Sequence, residues 1–111
     1  MPIARDMEIF APVCPILPFD TVKEAVAIAN QSQYGLMAGI MTRDISRALT
    51  IADHLEAGGV GINSCSTCRT VDMAFGGYKK SGIGREGIEY TLEEMSQIKT
   101  IGLKNLIRKE L

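Results

Sequence analysis

The chain has 111 residues, enough for one domain with a modest core. Hydrophobic residues make up 46 % and charged residues 23 %, with 12 basic and 13 acidic side chains, a balance typical of a globular protein rather than a disordered one. With no basic excess and only 5 % aromatic residues, the chain lacks the charge and the stacking rings of nucleic-acid-binding proteins. Its three cysteines are too few, and odd in number, for a disulfide-stapled secreted scaffold, so we expect reduced thiols.

The sequence predicts neither a membrane-spanning stretch nor a leader. Its longest uncharged stretch, residues 25–42, is interrupted by four polar residues at 30–33. The N-terminus has no basic region followed by an apolar run and a cleavage site. We therefore expect a cytoplasmic protein with no membrane partner.

The first part of the chain predicts a strand followed by a helix. Residues 13–19 form a short apolar run with prolines near both ends, as in a strand that stops at the second proline. Asp20 or Thr21 then caps a helix, because Glu24 lies three to four residues beyond the cap. Apolar positions within residues 22–29 recur at helical spacing.

The middle of the chain predicts a strand, a helix and another strand. Residues 36–42 are almost wholly apolar, as in a strand that is buried on both faces. Thr42 or Asp44 caps the next helix, whose apolar stripe ends at the glycine pair 58–59. Residues 60–63 form a third short strand. Three strands alternating with two helices predict a βαβαβ unit with a parallel sheet.

The last third has a different pattern. Residues 64–85 read as a long glycine-containing loop, and residues 86–96 have helical spacing. Residues 98–103 alternate like a half-buried strand. The predicted fold is therefore α/β: a parallel βαβαβ sheet with a glycine-rich loop, a further helix and a closing C-terminal strand.

Residues 82–87 read GxGxxG, a glycine spacing that lets backbone approach a pyrophosphate. A dinucleotide fingerprint follows a buried strand, whereas Lys79, Lys80 and Ser81 precede this motif. We interpret it as a glycine loop that lets the chain turn closely past another segment, and the two lysines as a solvated turn.

Cys65 and Cys68 have CxxC spacing, which suits a redox pair or half a zinc site. A zinc tetrahedron would also need Cys14 and His54, the only other cysteine and the only histidine. We predict no metal site and keep a CxxC redox or zinc module as an alternative.

Arg69 follows the third predicted strand, where parallel α/β sheets place ligand contacts, and its planar guanidinium suits a carboxylate or a phosphate. It could equally pair with Asp72, and the residues alone do not decide. Nearer the N-terminus, Phe10 reads as core and Glu8 as surface. One histidine and this distribution of acids form no Ser-His-Asp, His-Glu-x-x-His or paired-carboxylate set, so we predict no catalytic residue.

Four sequence blocks, taken in order, resemble the C-terminal part of the NAD(P)-dependent aldehyde dehydrogenase superfamily. These are EIFAPV at 8–13, YGLMAG at 34–39, GVGIN at 59–63 and FGGYKKSGIGRE at 75–86. The similarity extends from about residue 7 to about residue 103, and residues 98–101 match the family's closing strand. It implies an oxidoreductase that oxidises an aldehyde to a carboxylic acid through a cysteine thiohemiacetal, hydride transfer to NAD or NADP, and thioester hydrolysis.

The resemblance implies roles for four residues. Glu8 matches the glutamate that hydrogen-bonds the nicotinamide ribose, and Phe10 matches an aromatic residue packed near the nicotinamide. Phe75 matches an aromatic residue at the mouth of the aldehyde pocket, and Arg69 falls where members acting on anionic aldehydes carry an arginine. The Arg-Thr-x-Asp setting is similar to the glyceraldehyde-3-phosphate, lactaldehyde and semialdehyde branches, which favours a small polar or anionic aldehyde.

The family's Gly-Gln-x-Cys nucleophile motif, its general-base glutamate and its Rossmann domain are not found in this sequence, and no cysteine here stands in that motif. We therefore expect residues 1–96 to be the C-terminal part of a catalytic domain and residues 97–111 an oligomerisation strand and tail. The isolated chain is expected to be inactive, a poor binder of NAD or NADP, and a homo-oligomer. The alternative to a dehydrogenase segment is a self-associating, non-catalytic module, or the CxxC module.

Overall fold

The structure is a computed structural model that describes residues 7–104. Its elements in chain order are α1 (Val22–Asn30), β1 (Tyr34–Gly35), β2 (Met37–Ile40), α2 (Ile45–His54), β3 (Gly59–Ile62), β4 (Tyr78–Lys79) and α3 (Ile88–Glu94). Strands β2 and β3 pair in parallel, and β1 and β4 pair antiparallel. The predicted α/β class is confirmed.

Helix α1 begins at a reciprocal pair of side-chain contacts. The Thr21 hydroxyl accepts a hydrogen bond from the Glu24 backbone N–H at 3.2 Å. The Glu24 carboxylate in turn accepts one from the Asp20 backbone N–H at 2.9 Å. This arrangement is close to a capping box, and it selects Thr21 as the cap from the two predicted candidates.

Helix α2 joins β2 to β3 and makes the one parallel crossover in residues 7–104. Its cap is Asp44, whose carboxylate accepts the Arg47 backbone N–H at 3.0 Å. The Thr42 hydroxyl accepts the Asp44 N–H at 3.1 Å, so both predicted candidates contribute to this helix start. Ala48 on this helix is fully buried.

The β2–β3 ladder runs in register from Met37 opposite Gly59 to Ile40 opposite Ile62. Asn63 extends it by one residue, because its N–H donates to the Ile40 carbonyl at 2.6 Å. Asn63 has a left-handed backbone with φ of 52°, and its side-chain oxygen accepts the Thr42 N–H at 2.9 Å. The carboxyl ends of both strands are therefore fastened together by one asparagine.

Two predicted strands are corrected. Residues 13–19 and 98–103 lie outside every strand of the structure, so the sheet is a single βαβ unit rather than βαβαβ. A strand needs a neighbour that accepts and donates its backbone hydrogen bonds, and neither segment has a strand neighbour within residues 7–104. Pro15 and Pro18 also remove two N–H donors from the first segment.

The two-residue pair β1–β4 was not predicted. Tyr34 lies opposite Lys79, and Gly35 opposite Tyr78. The Ser81 hydroxyl also accepts a hydrogen bond from the Gly35 N–H, at 2.9 Å. This pairing divides the long loop predicted at 64–85 and returns the chain to the start of β2.

Lys79 does not belong to a solvated turn. Its Nζ donates to the carbonyl oxygens of Asn30 and Ser32, at 2.8 and 2.9 Å. It also pairs with the Glu56 carboxylate at 2.5 Å. A cation at the C-terminal end of α1 is favourable because the last carbonyls of a helix carry partial negative charge. Lys80 is also exposed but, within residues 7–104, its ammonium makes no hydrogen bond or ion pair, as expected of a solvated side chain.

Little of the apolar surface is covered. Ile40 and Ala48 are the only buried hydrophobic residues in the described part of the chain. Ile16 and Ile98 are 88 % and 94 % exposed, and Phe10, which the residues alone place in the core, is 94 % exposed. No helix within residues 7–104 has both the length and the apolar character to span a membrane.

Candidate functional site

The two residues predicted to bind the aldehyde, Arg69 and Phe75, are in contact with each other. Phe75 and Glu86 exchange both backbone hydrogen bonds, at 2.9 and 2.6 Å, in an isolated antiparallel bridge. Arg69 contacts both partners of that bridge: its Nη2 lies 3.2 Å from the Glu86 carboxylate, and its guanidinium carbon lies 4.2 Å from the centre of the Phe75 ring. The backbone bridge thus positions an arginine between an aromatic face and a carboxylate.

Arg69 pairs with Glu86, 17 residues further along the chain, and not with Asp72. The contact with Glu86 uses one of the five N–H donors of the guanidinium, and 41 % of the arginine side chain is exposed. The other N–H groups of the Arg69 guanidinium can therefore donate hydrogen bonds to an anion. No pattern in the sequence predicts the role of Glu86, because nothing in its spacing from Arg69 indicates contact.

Two cavities meet at Arg69. One of about 700 Å³ is lined by Arg69, Glu86 and the first turn of α3. The other, of about 240 Å³, is lined by Arg69, Phe75, Cys68 and Met37. Arg69 is thus the one described residue that lines both of these cavities.

The cofactor-side candidates lie in a separate place. Glu8 lines a groove of about 430 Å³ with Ser32, Tyr34 and Met37. Met37 also lines the smaller Arg69 cavity, so β2 separates the two sites. Among the described residues the Glu8 carboxylate contacts no hydrogen-bond donor or cation, and Phe10 presents an exposed ring with a left-handed backbone, φ 44°. An open carboxylate and an open ring fit the ribose hydroxyls and flat ring of a nicotinamide nucleoside.

The middle of the glycine motif at 82–87 packs against residues 76–77. A Cβ at Gly76 would collide with the Gly84 carbonyl oxygen. The Arg85 Nη1 donates to the carbonyls of Gly77 and Gly84, at 3.2 and 2.9 Å. This agrees with a glycine loop that turns closely past another segment.

The three cysteines are free and exposed. Within residues 7–104 no three His, Cys, Asp or Glu side chains come together in a way that could hold a metal ion, so the zinc alternative has no ligand set. The Cys65 Sγ lies 2.8 Å from the Thr67 hydroxyl oxygen. Hydrogen bonds from the side chain and then the backbone of Thr67 lower the pKa of the Cys65 thiol.

Comparisons with known proteins agree on one family. The model of the aldehyde dehydrogenase family matches residues 1–101. A lactaldehyde dehydrogenase of Methanococcus maripaludis is 56 % identical over 104 residues, 94 % of this chain and 22 % of that protein. The chain therefore spans about a fifth of the length of the curated relatives that it matches.

Solved structures give the same result. The glyceraldehyde-3-phosphate dehydrogenase GapN of Methanocaldococcus jannaschii, complexed with NADP, is 54 % identical with a TM-score of 0.68, over 71 % of this chain and 17 % of that one. Aldehyde dehydrogenase 21 of Physcomitrella patens, in complex with the reaction product succinate, is 38 % identical with a TM-score of 0.87, over 94 % of this chain and 22 % of that one. An aldehyde dehydrogenase of Bacillus cereus, in complex with NAD+, is 44 % identical with a TM-score of 0.80, over 85 % of this chain and 19 % of that one.

Proposed function

Because the chain belongs to the aldehyde dehydrogenase family, we propose that it supplies the aldehyde-binding and nicotinamide-binding contacts of the C-terminal part of an NAD(P)-dependent aldehyde dehydrogenase. The observation that carries this proposal is the Arg69 cluster at the junction of two cavities. The substrate is a small polar or anionic aldehyde, and the product is the corresponding carboxylic acid.

The substrate class is supported by the charge of the site and by the relatives. Arg69 has unused N–H donors, and a guanidinium binds carboxylate and phosphate groups through two parallel hydrogen bonds. The Phe75 ring fixes the plane of that guanidinium. Similar proteins are named for lactaldehyde, for glyceraldehyde-3-phosphate and for aspartate semialdehyde, and another holds succinate.

In the reaction, this chain's residues bind and orient. Glu8 accepts hydrogen bonds from the ribose hydroxyls, and Phe10 packs against the nicotinamide ring. NAD or NADP, when bound, supplies the hydride acceptor. Arg69 holds the anionic end of the aldehyde, and Phe75 excludes water from its carbon chain.

Covalent chemistry at the aldehyde carbon needs a thiolate and a general base. None of the three cysteines stands in the family's nucleophile motif, so we assign no catalytic residue to this chain. The 111 residues alone are inactive in this proposal, and their exposed apolar side chains are covered in a cytoplasmic homo-oligomer. Residues 97–111 form the assembly segment, of which 105–111 lie outside the described residues.

A chimera tests the proposal. The matching 104 residues of the Methanococcus maripaludis lactaldehyde dehydrogenase are replaced by those of this chain. We expect the chimera to reduce NAD or NADP with lactaldehyde, glyceraldehyde-3-phosphate or succinate semialdehyde. Arg69→Met should lower kcat/KM about 10- to 100-fold for the two anionic aldehydes, and less than threefold for lactaldehyde, because a charge-assisted hydrogen bond is lost.

Matched variants separate binding from folding. Arg43→Met removes an exposed arginine from another surface and should leave all three substrates unchanged. Glu8→Gln should raise the KM for the dinucleotide about tenfold with little change in the KM for the aldehyde. A folded chimera without activity would contradict the proposal, and so would an equal loss on charged and neutral aldehydes in Arg69→Met.

A further inference from the structure

The Cys65–Cys68 segment is a defined hydrogen-bonded turn. The Cys68 N–H donates to the Cys65 carbonyl at 3.2 Å, with Ser66 and Thr67 at the centre of the turn. The first and last Cα atoms of a β-turn lie within about 7 Å of each other. A disulfide requires a Cα separation of about 4.4–6.8 Å, so the turn brings the two cysteines into the range where they can be joined.

The start of this turn is held against the parallel sheet. The carbonyl oxygens of Ser64 and Cys65 lie 3.0 and 3.1 Å from the places where a Cβ would stand on Gly39 and Gly61. Gly39 and Gly61 face each other in the ladder, so the backbone of the turn passes directly over a glycine pair. The turn is therefore positioned by the sheet as well as by its own hydrogen bond.

The two sulfur atoms have different surroundings. Cys65 Sγ contacts the Thr67 hydroxyl, which favours its thiolate and lowers its pKa. Cys68 lines the cavity that Arg69 and Phe75 also line. Both cysteines are exposed, and neither has another cysteine as a partner in the described residues. The Cys65 thiolate is thus stabilised by Thr67, and Cys68 is the second thiol of the same turn.

We propose that Cys65 and Cys68 form a redox-active dithiol that a hydroperoxide oxidises to an intramolecular disulfide. The Cys65 thiolate attacks one peroxide oxygen, the O–O bond breaks, and the released hydroxide takes a proton to leave as water. The resulting Cys65 sulfenic acid is attacked by the Cys68 thiol, which forms the S–S bond and releases a second water. Two thiols and one hydrogen peroxide thus give one disulfide and two waters.

This reaction is independent of the proposed aldehyde oxidation. It has a structural consequence for that site, however, because Arg69 directly follows Cys68. Closing the disulfide covalently fixes the backbone that leads into Arg69, next to the cavity shared with Phe75. The aldehyde site is therefore bordered by a segment whose stiffness depends on its redox state.

The test uses the 111-residue chain, reduced and then treated with one equivalent of hydrogen peroxide. Peptide mapping without reductant should show one Cys65–Cys68 disulfide within a single chain and a reduced Cys14, the exposed cysteine that serves as internal control. In Cys68→Ser, the sulfenic acid on Cys65 should persist and be trapped by dimedone. In Thr67→Val, the rate of oxidation at neutral pH should fall roughly two- to fivefold, because the hydrogen bond to the thiolate is lost.

Denaturation provides a second control that does not depend on any variant. In 6 M urea the turn and its Thr67 contact are lost, and oxidation should slow to the rate of Cys14. Equal rates for Cys14 and Cys65 in the folded chain would overturn the proposal. Disulfides between chains, or a Cys65 rate unchanged by urea and by Thr67→Val, would overturn it as well.

Discussion

The β2–α2–β3 unit and residues 13–19 both contain short apolar runs, but these runs have different structures. In the first, each strand residue lies opposite a partner, and the connecting helix buries Ala48. In the second, a run equally rich in apolar residues pairs with nothing in the described chain, and Ile16 is 88 % exposed. The two regions differ in whether a neighbouring strand is present to pair with, and not in their apolar pattern.

This comparison explains where the stability of the chain resides. A strand gains stability only when its backbone groups exchange hydrogen bonds with a neighbour and its side chains are covered. Helix α2 brings such a neighbour back to β2 within about twenty residues. Residues 13–19 and 98–103 have no such connection, so we expect their substitution to change association and not folding.

The largest effect is expected when a charge replaces the buried Ala48 of the β2–α2–β3 unit. Ala48→Asp places a carboxylate where no side-chain surface is exposed, and it should cost more than about 3 kcal/mol, enough to abolish the cooperative unfolding transition. Ile16→Asp makes a matching hydrophobic-to-acidic change in the unpaired segment and should cost less than about 0.5 kcal/mol. Urea denaturation followed by circular dichroism measures both. Similar losses would show that the two regions fold as one unit.

Asn63 tests how the two strands of the unit are fastened. Asn63→Ala removes the acceptor for the Thr42 N–H and places alanine at a positive φ, so we expect a loss of about 2 kcal/mol. Asn63→Gly removes the acceptor but tolerates the backbone, and it should lose about half as much. Thermal unfolding measures the loss of stability in each variant. If Asn63→Gly is destabilised as much as Asn63→Ala, the positive φ of residue 63 does not contribute to the loss.

The smallest effect is expected where β4 contacts α1. Lys79→Met removes a cation from the carbonyls of Asn30 and Ser32 and from Glu56, and it should cost about 1 kcal/mol. Lys80→Met is the matched control, since its side chain is exposed, and it should change the unfolding free energy by less than about 0.3 kcal/mol. Raising the ionic strength should reduce the difference between the two variants. A difference that is unaffected by salt would indicate lost packing and not lost charge.

The features that can be predicted from the sequence are those set by interactions between residues close together in the chain. The helix caps Thr21 and Asp44 contact residues three positions away, and the two strands beside α2 are long enough to show an apolar run. The order of the four aldehyde dehydrogenase blocks likewise indicated the family that the comparisons confirm.

The remaining features depend on contacts between distant parts of the chain. Lys79 contacts residues that lie 47 and 49 positions earlier in the chain. Arg69 pairs with Glu86 and not with Asp72, which is closer to it in sequence. The strands β1 and β4 have two residues each, which is too short for any alternation to appear. The pairing of Arg69 with Phe75 also depends on a single backbone bridge, which has no signature in the sequence.

The glycine pair Gly39 and Gly61 has a consequence for how this part of the protein can diverge. A Cβ at Gly39 would lie 3.0 Å from the Ser64 carbonyl oxygen, and one at Gly61 would lie 3.1 Å from that of Cys65, so a side chain at either position requires this connection to move outward by a few tenths of an ångström. A homologue that replaces either glycine is therefore expected to carry this connection slightly farther from the sheet, and one that keeps both is expected to keep the close approach.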